Sequence, residues 1–270
     1  MHQKLIFIIT SIVVIAMLSC QVDTGLAPTQ SGISGIIHFQ NEWPDETDQV
    51  MVVASTKFPP TSLDEIIMSE PLPTFVDSAS FVIWTNPQKF QAVGVIWKEK
   101  NQPWDVTNII GIYFPTDDHF SPGSVTIADR NTIVDSINIE ANLDNARLRV
   151  DSAIQGKLYV NGDWPDGAES VLVVASKTIL PTSLLDVVFS SPIEAGFDSL
   201  DYSISVQPAN YRLLGGLVTE AGQSIGIESI KGIYYKKPGD FLPGSIVVPT
   251  DTTIVSDIDI TLDFESGLLP

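Results

Sequence analysis

Three histidines, one cysteine and 33 acidic residues are the groups in this 270-residue chain that bear on catalysis or metal binding. An internal duplication sorts them. Trp43-Pro44-Asp45 leads into Val52-Val53-Ala54-Ser55 and then Pro60-Thr61-Ser62-Leu63. The same series returns 121 residues later as Trp164-Pro165-Asp166, Val173-Val174-Ala175-Ser176 and Pro181-Thr182-Ser183-Leu184. The offset holds without a gap from there to Gly111-Ile112-Tyr113 against Gly232-Ile233-Tyr234, and again at Pro122-Gly123-Ser124 against Pro243-Gly244-Ser245. A site that both copies use must survive at that offset. His2 lies near the amino terminus, His38 faces Tyr159 and His119 faces Asp240, so no histidine is shared. No Ser-His-Asp arrangement emerges from two scattered histidines. No glycine-rich phosphate loop joins a strand to a helix, and no zinc-ligand spacing occurs. A carboxylate-only hydrolase would need two acids held across a glycosidic bond, and no pair stands out. Asp117, Asp118, Asp129 and Asp135 are the acids nearest to a calcium reading, but they do not alternate around a glycine as a calcium loop requires. The expectation is no catalytic residue, no metal site and no cofactor.

The polar residues that both copies do share have structural uses. Asp45 and Asp166 suit the turn after Trp-Pro. Ser62 with Glu65, and Ser183 with Asp186, have the spacing of a helix capping box. Tyr113 and Tyr234 sit in strands, where the ring packs and the hydroxyl finds a partner. Ser55/Ser176, Thr61/Thr182, Asp77/Asp198 and Ser78/Ser199 complete the set. Trp43 and Trp164 read as plugs at a strand end.

The formal net charge is −19, from 14 Lys and Arg against 33 Asp and Glu. That sign repels phosphate backbones, whose affinity for proteins comes mainly from cationic contacts, so nucleic acid is excluded as a partner. The acids are dispersed, as on a solubilising surface. Each copy has roughly 115–120 residues, enough to bury a core without staples. No disulfide can form within the chain, because Cys20 is its one cysteine.

Residues 1–19 read as a signal peptide. Lys4 supplies the positive start, and the apolar run Leu5 to Leu18 is too short to span a bilayer. The run ends in Met17-Leu18-Ser19-Cys20, which resembles the lipobox of bacterial lipoproteins, with Ser19 at its small position. The resemblance implies diacylation of Cys20, cleavage before it and acylation of the new amino terminus. Two or more acyl chains anchor stably in a bilayer. Residues 20–31 then read as a lipidated tether, polar and rich in Gly, Pro, Ser and Thr. The expected location is the bacterial cell envelope, lipid-anchored, on either side of the outer membrane.

Behind the tether, β-favouring runs alternate with turn signals. They divide the chain into a domain at 32–145 and a second at 152–270, joined by a short charged linker. About seven strands per copy argue two tandem antiparallel β-sandwich domains, each with one short inserted helix opening at Ser62 or Ser183 and closed by Pro71 or Pro192. Gln49 to Ser55 is apolar without alternation, which predicts burial on both faces. Asp77–Thr85 and Lys89–Lys98 read as a hairpin around Asn86-Pro87.

Four features go together in both copies. They are a Gly-containing first strand, an aromatic after an x-Pro turn (Phe90, Tyr211), a glycine four residues on (Gly94, Gly215), and a closing Ile-x-Ile strand (Ile137-Asn138-Ile139, Ile258-Asp259-Ile260). Together they resemble the carboxypeptidase regulatory-like, or transthyretin-like, β-sandwich domains of bacterial envelope proteins. The resemblance implies non-catalytic modules. The inserted helix and the lack of an attached catalytic domain depart from that pattern.

One asymmetry bears on binding. Strand parity places Val82 and Trp84 outward, against Ser203 and Ser205 in copy two. On the next strand, the parity of Gln91 extends to Val93, Val95 and Trp97, and Trp104 follows in a loop. Trp84, Trp97 and Trp104 have no tryptophan counterparts in copy two. A shared exposed face would mark a contact site, and aromatic rings can stack on sugars. Alternatively, the inserted helix or the second domain covers this face, since Ala92 to Trp97 is apolar throughout. The sequence thus predicts a non-catalytic envelope lipoprotein with a structural, adhesive or binding role, held to the membrane by its lipid. A glycan or another envelope protein is its candidate partner.

Overall fold

The computed structural model describes residues 30–60, 65–220, 223, 225–237 and 239–265. Cys20, the leader, most of the tether and the capping serine Ser62 lie outside these residues. Residues Ser31–Pro270 form one compact unit. Copy one contains β1 (Gly32–Gln40), β2 (Thr47–Ser55), β3 (Ile66–Met68), β4 (Ser78–Trp84), β5 (Lys89–Phe90), β6 (Ala92–Glu99), β7 (Ile109–Ile112), β8 (Val125–Thr126), β9 (Ile133–Val134) and β10 (Ile139–Asn142). Copy two contains β11 (Ala153–Asn161), β12 (Ala168–Ser176), β13 (Val187–Phe189), β14 (Ile193–Glu194), β15 (Ser199–Ser205), β16 (Ala209–Tyr211), β17 (Leu213–Glu220), β18 (Ile230–Ile233), β19 (Ile246–Val248), β20 (Ile254–Val255) and β21 (Ile260–Asp263).

The two copies repeat one sandwich. In copy one, β1 pairs with β4 on one side and with β9 and β10 on the other, and this sheet faces the sheet β3-β2-β6-β7. In copy two, β11 pairs with β15, β20 and β21, opposite β13-β12-β17-β18. Alternating inward residues fill the space between the sheets: Ile33 and Ile37 from β1, Val50 and Val52 from β2, Phe81 and Ile83 from β4. Ile154, Leu158, Val171 and Val173 do the same in copy two. The pairing is mostly antiparallel. The exceptions are the last two strands of each copy, β9 and β10 on β1 and β20 and β21 on β11, which run parallel to the opening strand, Ile37 opposite Ile139 and Leu158 opposite Ile260.

Between β9 and β10 the chain leaves the sheet and tucks Ile137 into the core. Ser136 takes a left-handed φ of 63°, and Asp257 takes 61° at the same place in copy two. The Asn138 side chain accepts from the Ile36 amide at 3.0 Å, and Asp259 from Lys157 at 2.9 Å. Gly35 and Gly156 make room for this detour. A Cβ on Gly35 would lie 2.0 Å from the Ile137 carbonyl oxygen, and one on Gly156 1.9 Å from that of Ile258. This is the physical reason for the glycine in each first strand.

Two expectations are corrected. Asp77–Thr85 and Lys89–Lys98 do not form a hairpin. β4 pairs with β1, while β6 pairs with β2 in the opposite sheet. The chain crosses the sandwich between them, with β5 paired to β8. Among the described residues the inserted helix is also absent as such. In copy one, Ile66–Met68 is a strand paired with β2. In copy two, one 3-10 turn, Leu184–Asp186, runs straight into β13. The capping box there is formed: Ser183 Oγ accepts from the Leu185 amide at 3.2 Å, and the Asp186 carboxylate from the Ser183 amide at 3.0 Å. The apolar residues that follow are recruited by the edge of β12 before a second turn forms.

A third apolar cluster joins the copies. Ile109, Ile112, Phe114 and Phe120 of copy one pack with Leu172, Val174, Leu217 and Ile225 of copy two. The amide of Leu184 donates to the His119 carbonyl at 3.0 Å, and Lys57 pairs with Glu169 at 2.9 Å. As a result β12 is buried on both faces from Ser170 to Ser176. Its counterpart β2 buries Val50, Val52 and Ala54 but leaves Met51 and Val53 half-buried.

Candidate functional site

The three tryptophans do not share a face. Trp84 points outward from β4 and is 52% exposed. Trp97 is 0% exposed and lies in the copy-one core. Its indole N–H donates to Thr47 Oγ1 at 2.9 Å. Trp104 is half-buried in the loop after β6. The parity that placed Trp97 outward fails at Gln91. Phe90 faces the core and so do Val93, Val95 and Trp97, a shift of one residue where the chain passes from β5 to β6. Trp97 therefore offers no ring to a ligand. Of the three tryptophans Trp84 is the exposed one, opposite Gly32 in β1, and Gly32 is in turn opposite the exposed Ile133 of β9.

Several polar residues repeated at the 121-residue offset are tied into the fold. The indole N–H groups of Trp43 and Trp164 donate to the carbonyls of Val76 and Phe197, each at 3.0 Å. Phe39 and Phe75 surround Trp43, and Phe197 and Phe264 surround Trp164. Both therefore close a strand end. Ser69 and Ser190 accept from the amides of Val52 and Val173 at 3.0 and 2.9 Å, where the edge strand breaks away. Sequence reading missed this pair, although the offset preserves it. Every buried side-chain nitrogen or oxygen among the described residues has a hydrogen-bond partner.

The acids weighed for calcium serve turns. Asp118 accepts from the Phe120 amide at 2.9 Å, and Asp129 from the Asn131 amide and the Thr132 hydroxyl at 2.8 Å each. Asp135 accepts from the Ser136 amide. Hydrogen bonds from the Ser121 hydroxyl and the Phe120 amide hold the Asp118 carboxyl below the usual range, and the Asn131 amide does the same for Asp129. Among the described residues no group of three or more His, Cys, Asp or Glu is placed to hold a metal ion.

A cleft of about 480 Å³ lies at the junction of the copies. Its walls are largely apolar, with Phe58, Ile109, Leu180 and Val187 among them. Arg147 enters it from the linker. Asn108 clamps the Arg147 backbone at both ends, accepting from its amide at 3.0 Å and donating to its carbonyl at 2.8 Å. The guanidinium donates to the Thr107 carbonyl and makes no ion pair among the described residues. Burial pulls its pKa below the ordinary arginine value, against the opposing pull of Asp105. Tyr211 lines the same cleft, donating to the Gln207 carbonyl at 2.8 Å. Burial pushes its phenol up to about 12. The cleft thus offers apolar walls, the guanidinium of Arg147, the side chain of Lys177, the carboxylates of Asp144 and Asp186, and the phenol of Tyr211. Apolar walls with a few polar groups are the usual make-up of a small-molecule site. The lone guanidinium gave no sequence signal beyond being a rare cation in an acidic chain.

No protein-family model matches the chain, and no curated protein matches its sequence. Among solved structures, a leucine-rich repeat protein from Bacteroides thetaiotaomicron aligns over 87% of this chain at 10% identity and a TM-score of 0.37. The alignment spans 27% of that protein's length. A streptococcal ancillary pilin aligns over 86% of this chain and 69% of its own, at 9% identity and a TM-score of 0.22. A putative adhesin from Bacteroides ovatus aligns over 83% of this chain and 92% of its own, at 10% identity and a TM-score of 0.22. Likeness at this level assigns no role to the chain.

Proposed function

We propose that the chain is a non-catalytic lipoprotein of the bacterial cell envelope, a pair of β-sandwiches that presents a structural or binding surface at the end of a lipid tether. One observation carries this reading. Polar groups that the two copies hold in common, Trp43/Trp164 and Ser69/Ser190, are occupied in closing strand ends and edges. What distinguishes the molecule is its surfaces: the junction cleft, and the apolar patch around Trp84. The tether is the testable half. Metabolic labelling with palmitate in a bacterial host is expected to mark the chain and to drive it into a detergent phase, because two or more acyl chains anchor stably. Cys20→Ser should abolish both signals. Label that persists in that variant, or that never appears in the parent, removes the anchor.

A second reading rests on Trp84. Its exposed ring, with Val82 and Ile133 beside it, forms a platform absent from copy two, where Ser203 and Ser205 take the places of Val82 and Trp84. Such a platform fits stacking on a sugar ring, and base–aromatic stacking gives a scale of about 1–3 kcal/mol for one aromatic contact. On a glycan array, binding that Trp84→Ala reduces at least about tenfold would support it. Binding indifferent to Trp84, or none, would exclude it.

A further inference from the structure

The junction between the copies joins two unlike surfaces. Copy one contributes an edge, β7 with the loop that follows. Copy two contributes a face, the outer side of its β12–β17 sheet. Because the copies repeat one fold, each carries both an edge and a face. One edge and one face are therefore left uncovered in the chain. The spare edge belongs to copy two: Ile230, Ile233, Tyr235 and Phe241 stand where Ile109, Ile112, Phe114 and Phe120 stand in copy one. The spare face belongs to copy one: half-buried Met51, Val53 and Trp104 replace Leu172, Val174 and Ile225, while Ile96, at the place of Leu217, is already buried within copy one.

Exposure follows this division at the edge and along β2, though not at Ile96. Phe120 packs into the junction, while Phe241 is 92% exposed and its neighbour Leu242 66% exposed. Ile112 is buried and Ile233 half-buried. Leu172 and Val174 are buried, and Met51 and Val53 half-buried. The loop carrying Phe241 starts from the same closure in both copies. The Gly123 amide donates to the Tyr113 carbonyl at 2.8 Å, and the Gly244 amide to the Tyr234 carbonyl at 2.7 Å. Phe241 and Leu242 stand exposed side by side, and contiguous exposed apolar surface marks a contact site where a single side chain does not. The chain itself supplies the model of what covers it.

We propose that the chain associates with itself head to tail. The copy-two edge of one molecule, led by Phe241, seats on the outer face of the copy-one sheet of the next, repeating the internal junction between molecules. Joining an edge to a different face is a heterologous contact. It leaves one edge and one face free at each step, so it builds open chains rather than closed dimers. The contact is weaker than the internal one. The Lys57–Glu169 pair has no counterpart, because Thr178 and Asp48 hold the equivalent positions, and the linker is missing. The net charge of −19 opposes stacking, so salt that screens it favours association.

Sedimentation velocity on the Ser31–Pro270 unit tests this across roughly 10 µM to 1 mM, the range of a weak contact. The weight-average mass is expected to climb with concentration, to pass the dimer, and to climb more steeply in high salt. Phe241→Asp and Val53→Asp are each expected to weaken self-association about 30-fold or more, as loss of a central apolar anchor does. The decisive sample is their mixture. Phe241→Asp keeps an intact face and Val53→Asp an intact edge, so together they should form a 1:1 dimer that grows no further. Phe241 is too exposed for its replacement to disturb folding. If Val53→Asp lowers the melting temperature, Met51→Asp takes its place. A parent that stays monomeric at every concentration and salt, one that stops at a dimer, variants that associate like the parent, or a mixture that stays monomeric would each overturn the proposal.

Discussion

Trp97→Ala should destabilise the protein by about 3–5 kcal/mol, the cost of emptying a large aromatic site in a packed core. Trp97 is the largest fully buried side chain of the protein. It sits on β6 opposite Val50 of β2, its amide donates to the Asn108 carbonyl at 3.0 Å, and its indole is bonded to Thr47. Removing it leaves a cavity that two hydrogen-bonded sheets cannot close by relaxing. Thr47 does not add much to the cost, since its hydroxyl also donates to the Pro44 carbonyl at 2.7 Å. Urea unfolding followed by circular dichroism measures the change. Trp84→Ala is the matched control, expected within about 0.5 kcal/mol of the parent because its ring lies outside the core. Similar losses for the two variants would mean that Trp97 is not where the structure has it.

Gly35→Ala carries the second large effect. A single methyl is added, yet it would lie 2.0 Å from a backbone oxygen that cannot rotate away. Either β1 shifts away from Phe81, or the detour at Ile137 is expelled from the core. Overpacking of this kind costs about 3 kcal/mol or more. Gly156→Ala repeats the experiment in copy two against Ile258 and should behave alike. The same substitution at Gly167, where nothing lies within 4 Å of the added carbon, meets only the strain of its φ of 87°. A Gly35→Ala protein as stable as the parent would show that the two strands do not approach as described.

Much of this architecture was legible in residues alone, and the gaps have specific causes. The 121-residue repeat announced two like sandwiches because sequence similarity without gaps forces similar folds. The Ser183–Asp186 cap was readable because it is local, two side chains and two amides within four residues. The position of Trp97 was not. Parity carries side-chain direction only along an unbroken strand, and Gln91 interrupts it. The supposed hairpin failed for a related reason: a turn residue pair marks a change of direction, not which strand lies alongside. The uninterrupted apolar run of β2 resembles that of β12, yet only β12 is covered on both faces, because copy one lies against it. Arg147 escaped notice because its surroundings come from the folding of the linker onto Thr107 and Asn108.

The parallel pairing of first and last strands sets an order of events. Ile36 meets Asn138 across 102 residues of chain, and Lys157 meets Asp259 across the same span. A growing polypeptide that has not yet delivered its Ile-x-Ile segment leaves one edge of the opening strand bare and the detour residue missing from the interior. Long-range closure of this sort is slow compared with local structure. Each half therefore stays unsealed until nearly all of it has emerged.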